Sequence, residues 1–138
     1  MYLADTDVLS ETRREERANE GVRAFFRQAR IDGRVVHLSV VTVAELRQGV
    51  ERVRRRGDAR QAAGLEKLVD NVLREYDKKI LPAGKEIGGL WGNLRAPHPE
   101  PALDKLIAAT AIFHGLTVVT RNVRDFKETG VEMLNPFE

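Results

Sequence analysis

The chain contains no cysteine, which removes disulfide frameworks, thiolate zinc sites and thiol nucleophiles from the chemistry open to it. Long apolar runs are missing as well. Its hydrophobic stretches fall far short of the roughly 20 residues that a spanning helix requires, so no membrane segment is expected. Asp5, Asp7, Glu11, Arg13 and Arg14 crowd the region where a secretory leader needs an unbroken apolar core. A cytoplasmic location is the expectation. Charge of one sign is not in excess either: 23 Lys and Arg face 21 Asp and Glu, for a formal net charge of +2. The distribution of charge, rather than its sum, must therefore indicate any polyanionic partner.

What is present suffices for one folded domain spanning 1–138. Hydrophobic residues at 42% and charged residues at 32% place the 138 residues among globular proteins able to bury a core without metal or disulfide staples. Short β-branched runs at Tyr2–Asp5, Val35–Val41, Lys79–Leu81, Leu116–Thr120 and Val131–Leu134 alternate with segments of helical period. Such alternation predicts an α/β fold, a three-layer α/β/α sandwich around a mainly parallel sheet of four or five strands. Helical stripes run through Val22, Phe25, Phe26 and Ala29, through Val43, Leu46, Val50 and Val53, and through Leu65, Leu68, Val69, Val72 and Leu73. The segment from Ala96 to Pro101 is a proline-stiffened loop, with Pro101 predicted in the first turn of the next helix and Gly115 as its left-handed cap.

Asp5 closes the first strand, and ligands of open α/β sheets sit outside the carboxyl ends of strands. Taken singly, each acidic residue has a structural explanation. Asp5 and Asp7 suit a turn or a helix cap, Thr42 and Glu45 suit a capping box, and Asp104 suits a helix dipole. Together with the polar segment from Arg121 to Asp125 after the fourth strand, they place carboxylates or amides at two strand ends and two helix starts. Carboxylates gathered in one pocket raise one another's pKa values, and a bound divalent cation relieves that repulsion. Mg²⁺ suits such a site because it is a hard ion that takes a few carboxylates and keeps several waters. The chemistry implied is metal-assisted attack of water on a phosphodiester.

The runs from Leu3 to Glu11, from Asp104 to Ala111 and from Val118 to Phe126, with Glu45 between them, look like those of a PIN-domain ribonuclease. The likeness is to the VapC-type toxins of type II toxin-antitoxin systems, in their FitB-like branch, and it covers nearly the whole chain; Leu90-Trp91-Gly92 adds to it. It implies an endoribonuclease dependent on Mg²⁺ or Mn²⁺, held in check by a small antitoxin whose C-terminal segment obstructs the acidic pocket. By position, Asp5 and Asp104 would be the principal metal ligands and Glu45 would complete the cluster, with Thr6 and Thr120 in support. The pattern departs in two places: Asp7 stands where the family usually has Asn, and Asn122 stands where many members place a fourth acid. Either Asn122 or Asp125 then fills the fourth position. The same resemblance implies a homodimer assembling with antitoxin dimers, and contact with operator DNA only through the antitoxin.

Of two basic clusters, Arg13, Arg14 and Arg17 lie nearer Asp5 in sequence and are the candidates for RNA phosphates. The longer run of arginines from Arg52 to Arg60 reads as a solvated helix face, and His98 as an exposed loop residue. The alternative to an enzyme is a catalytically weak or inactive protein of the same fold that binds an antitoxin or nucleic acid, which the Asn122 replacement makes credible. A phosphorelay receiver ranks below both, because Ser39 and Pro82 occupy the strand ends where a phospho-accepting Asp would stand.

Overall fold

A computed structural model describes residues 1–138. Five strands, β1 (Tyr2–Ala4), β2 (Val36–Ser39), β3 (Ile80–Leu81), β4 (Thr117–Val119) and β5 (Met133–Leu134), form one sheet in the order β3-β2-β1-β4-β5. Every pairing is parallel. The expected α/β architecture is therefore observed. With β1 in the middle and the chain winding outward on both sides of it, the crevice beyond the C-terminal ends of β1 and its neighbours is the switch point where such sheets place ligands.

The helices are α1 (Thr6–Thr12), α2 (Glu20–Ile31), α3 (Val40–Arg55), α4 (Ala59–Glu75), α5 (Lys85–Arg95), α6 (Ala102–His114) and the single turn α7 (Val123–Phe126). Period-two alternation divides the strand side chains between two cores. Leu3 and Val118 point into a cluster with Ile107, Ala108 and Ala111 of α6 and with Phe126. Ala4 and Leu38 point the other way, toward Leu9 of α1, Ala29 of α2, and Val72 and Tyr76 at the end of α4. Val119 joins Val8 and Val22 in a smaller cluster on that second side. Helices thus cover both faces of the sheet. Phe126, fully buried, ties the short α7 to the first core and so fixes Asp125 within that turn and Asn122 at its N-cap.

Local signals set the element ends, with some differences from the sequence expectation. Val40 and Val41 are helical rather than extended, because Ser39 directly after β2 acts as the N-cap of α3 and accepts the Val41 N–H at 3.1 Å. No loop intervenes. Thr42 and Glu45 consequently lie inside α3 and form no capping box. Pro101 is the N-cap of α6 rather than a residue of its first turn. Gly115 does end α6 in the left-handed region, at φ 67°, and the Leu116 N–H returns to the Ala111 carbonyl at 2.8 Å. The stripe on α4 is interrupted at Leu68, which is 45% exposed. Trp91 of α5 is half-buried and ties that helix to α6 by donating its indole N–H to the Ala102 carbonyl at 2.8 Å.

The C-terminal segment packs against α2 at Gly21, where a β-carbon would lie 2.1 Å from the carbonyl oxygen of Pro136. Only glycine tolerates that approach. Gly21→Ala is expected to lower stability by roughly 1–3 kcal/mol through overpacking, and thermal unfolding of the purified variant checks it. An unchanged melting temperature would mean that the segment around Pro136 is free to move away.

Candidate active site

The parallel register of β1 and β4, with Ala4 opposite Val119, brings the next residues of both strands to the same edge of the sheet. Asp5 and Thr120 are those residues. Asp5, only 7% exposed, leaves the strand with extended backbone and caps α1, accepting the Thr6 N–H on Oδ1 at 2.8 Å. Its other oxygen, Oδ2, accepts the hydroxyl of Thr120 at 2.9 Å. Thr120 Oγ1 in turn accepts the N–H of Asn122 at 2.9 Å, so its lone proton is directed at the carboxylate.

A second hydroxyl serves Glu45. The Thr6 Oγ1 lies 2.5 Å from Glu45 Oε1 and 3.0 Å from Thr42 Oγ1. One hydroxyl has one proton, so Thr6 donates to the carboxylate and accepts from the fully buried Thr42. The helix that begins without a loop at Val40 thereby aims its second turn, and Glu45, at the start of α1.

Asp104 enters from the first turn of α6, half-buried, and Asp7 from the first turn of α1. Burial first, and then the charges of Asp7 and Asp104, push the Asp5 carboxyl up to about 7 against the hydrogen bonds from Thr120 and Thr6. Asp104 is raised to about 6, again first by burial and then by Asp125, Glu45 and Asp7. Asp7 is also raised, by burial and by Glu45, although the N–H groups of Arg121 and Val8 and the Arg121 charge oppose this. These mutual effects link Asp5, Asp7, Glu45, Asp104 and Asp125 electrostatically. Each of these acids lies within electrostatic reach of at least one other.

Asp7 is the residue that sequence reasoning left out of the site. Its Oδ2 accepts the Arg121 N–H at 3.2 Å, while its Oδ1 is buried with no hydrogen-bond partner at all. An unpaired carboxylate oxygen inside a protein is costly unless something supplies positive charge. The available signal was the spacing Asp5-Thr6-Asp7, which at a helix start directs Asp5 and Asp7 into the same crevice. Asn122 and Asp125 engage each other: the Asn122 amide donates to Asp125 Oδ2 at 2.5 Å. Asn122 thus orients Asp125 instead of adding a charge.

The donor set suits a hard divalent cation, since it offers carboxylate and hydroxyl oxygens only, one of them orphaned. As the side chains stand, no group of three acidic or imidazole residues is drawn close enough to hold a metal ion. The residues fit an ion that retains much of its water better than one wholly encased by protein.

Two cavities flank the acids. A polar one of about 550 Å³ lies between the proline loop and α7, lined by His98, Glu100, Lys105, Arg124 and Asp125 among others. An apolar one of about 350 Å³ lies between α1, α3 and α4 and reaches Thr6 and Glu45. His98 is exposed, as expected, and its carbonyl accepts from the buried Lys105 ammonium. Of the expected RNA contacts, Arg14 lies 3.5 Å from Glu11 and Arg13 lies 4.0 Å from Glu75, while Arg17 is exposed in a 3₁₀ turn. In the longer basic run, Arg54 pairs with Glu51 and Glu66.

The family model described as "PIN domain" matches residues 2–132. The chain is 34% identical over 142 residues to Toxin FitB of Neisseria gonorrhoeae, covering 99% of each protein. It is 30% identical over 143 residues to VapC ribonuclease Y4jK of Sinorhizobium fredii, covering 100% of this chain and 99% of the relative. A solved structure of FitAB bound to an IR36 DNA fragment contains a chain that superposes with a TM-score of 0.82 at 31% identity, covering 100% of this chain and 96% of that one.

Proposed function

This chain belongs to the PIN-domain family, among the toxins of the FitB and VapC kind, and from that premise we propose that it is a Mg²⁺-dependent endoribonuclease, the toxin of a toxin-antitoxin pair. The observation that carries the proposal is a set of carboxylates gathered at the C-terminal edge of a parallel sheet, with one Asp7 oxygen buried and unpaired. Such a site is electrostatically incomplete by itself. Asp5, Asp104 and Glu45 would hold the cation, with Asp7 supplying the orphaned oxygen and Asp125 the remaining acid. The bound ion, Mg²⁺ or Mn²⁺, supplies Lewis-acid activation of water and offsets charge on the phosphate. Thr120 and Thr6 donate hydrogen bonds to Asp5 and Glu45 and so fix how each side chain is turned in the crevice. The arginines at positions 13, 14 and 17 are the RNA-contact candidates on the α1 side.

A cognate antitoxin and a homodimer within a larger complex belong to the same proposal, supported by the two-component FitAB assembly on DNA that a similar chain forms. Operator DNA is reached through the antitoxin. The apolar groove at Thr6 and Glu45 offers a seat for an antitoxin segment that closes the acidic crevice, and the exposed Leu68 lies along it. No helix of the structure is long and apolar enough to cross a membrane, and we place the protein in the cytoplasm.

Purified protein freed of antitoxin is expected to cleave single-stranded RNA with Mg²⁺ and to stop when the metal is chelated. Asn122 favours a second reading, a binding protein with feeble chemistry, because an amide stands at that place and donates to Asp125. RNA left intact at every Mg²⁺ and Mn²⁺ concentration by a well-folded sample would establish that reading instead.

A further inference from the structure

The residues following β4 each engage the acidic crevice: Thr120 through its hydroxyl, Arg121 through its N–H to Asp7, and Asn122 through its amide to Asp125. The Arg121 side chain remains unaccounted for by the acidic cluster. Its guanidinium carbon sits 3.7 Å from the centroid of the Phe137 ring. Phe137 is half-buried against Val8, Val22 and Val119, the cluster directly beneath the first turn of α1. The ring is thus a firm seat.

Ion pairs within 4.0 Å engage Arg13, Arg14, Arg47 and Arg54. Arg121 takes part in none of them and is exposed. A guanidinium stacked on an aromatic ring has one face covered and its N–H edge free, which is the geometry that grips a phosphate by two parallel hydrogen bonds. Stacking also restrains a side chain that otherwise carries large rotamer entropy, so less is lost on binding. Its charge is felt at Asp7, which locates it beside the carboxylates without neutralising them by direct contact.

We propose that Arg121, seated on Phe137, is a phosphate-binding residue that positions single-stranded RNA at the acidic crevice. This rests on the nuclease reading above and adds to it a positioning group from the opposite end of the chain. An acidic pocket repels a polyanion, and a cation at its rim offsets that repulsion for the backbone on either side of the scissile bond. Gly21 belongs to the same device, since its lack of a β-carbon lets Pro136, and with it Phe137, settle onto α2.

The test measures binding of a fluorescein-labelled single-stranded oligoribonucleotide by anisotropy in the Asp5→Asn background, across a range of KCl concentrations, alongside cleavage by the otherwise unaltered protein. Arg121→Ala is expected to weaken binding about tenfold, and to make the slope of log K against log salt shallower by about 0.7, the release expected for one phosphate of a single strand. Arg121→Lys keeps the charge and should keep the slope while losing part of the affinity. Phe137→Leu should weaken binding severalfold with the slope largely retained. In the cleaving protein, KM should rise with Arg121→Ala far more than kcat falls.

If Arg121→Ala leaves affinity within twofold and the slope unaltered, the assignment is wrong, whatever the cleavage result. Failure of the nuclease reading has a different signature: RNA is bound in an Arg121-dependent way and never cut. Protein that shows no salt-dependent RNA binding overturns both.

Discussion

Asp5→Asn should abolish RNA cleavage, by roughly a thousandfold or more, while the protein remains folded. The amide has the size of the carboxylate and can still accept the Thr6 N–H that caps α1. At the other oxygen, Thr120 has lone pairs enough to accept from the amide as well as from Asn122. What disappears is the negative charge at the least exposed oxygen pair of the crevice. A Lewis-acid site contributes several kcal/mol to the transition state, and a thousandfold in rate corresponds to roughly 4 kcal/mol. Undiminished cleavage by this variant would remove Asp5 from the site. Thermal unfolding of the same sample distinguishes lost chemistry from lost structure, and in the absence of metal the variant should melt above the wild type at pH 8.

That last expectation leads to a pH dependence opposite in sign to ordinary acid denaturation. Asp5 ionises in the unfolded chain near 3.8 and in the folded one near 7, with Asp104 moving from 3.8 to about 6. Below pH 4 both states hold these protons, and no penalty exists. Between pH 4 and 7 the unfolded chain has released protons that the folded one retains, so metal-free stability contributed by these groups falls as pH rises. Above pH 7 the loss is complete. For Asp5 alone the displacement corresponds to roughly 4 kcal/mol, a large part of a typical domain's stability. Mg²⁺ should reverse it, raising the melting temperature strongly at pH 8 and little at pH 5. Melting curves in chelator and in Mg²⁺ across that range, for wild type and Asp5→Asn, provide the check. A metal-free protein that becomes more stable from pH 5 to 8, with Mg²⁺ ineffective at both ends, would contradict the burial and mutual repulsion of these carboxylates.

The strands were legible because Leu3, Leu38, Val118 and their neighbours are short β-branched or aliphatic runs bounded by helical periodicity. Their lengths were less so. Val40 and Val41 look extended by propensity, yet Ser39 caps a helix there, and capping together with the burial of Val41 outweighs β preference. The nearness of Asp5 and Asp104 could be anticipated because one follows a strand and the other opens a helix, whereas Glu45 comes from the second turn of α3, a placement that depends on the Ser39 cap. Asp7 could not be separated from a turn residue, since only the folded protein shows that one of its oxygens finds no donor. Arg121 escaped notice for a related reason. Its partner, Phe137, lies near the far end of the chain, and no local pattern connects an arginine after one strand with an aromatic ring beyond the last.

The hydrogen bond from Thr120 to Asp5 spans 115 positions of the polypeptide. During synthesis the ribosome releases the amino-terminal half long before Thr120, Asn122 and Asp125 have emerged, so a nascent chain carries Asp5 with no companion to complete it. On the nuclease proposal, cleavage is thereby deferred to the final moments of translation, when the finished molecule is already free to meet an inhibitor.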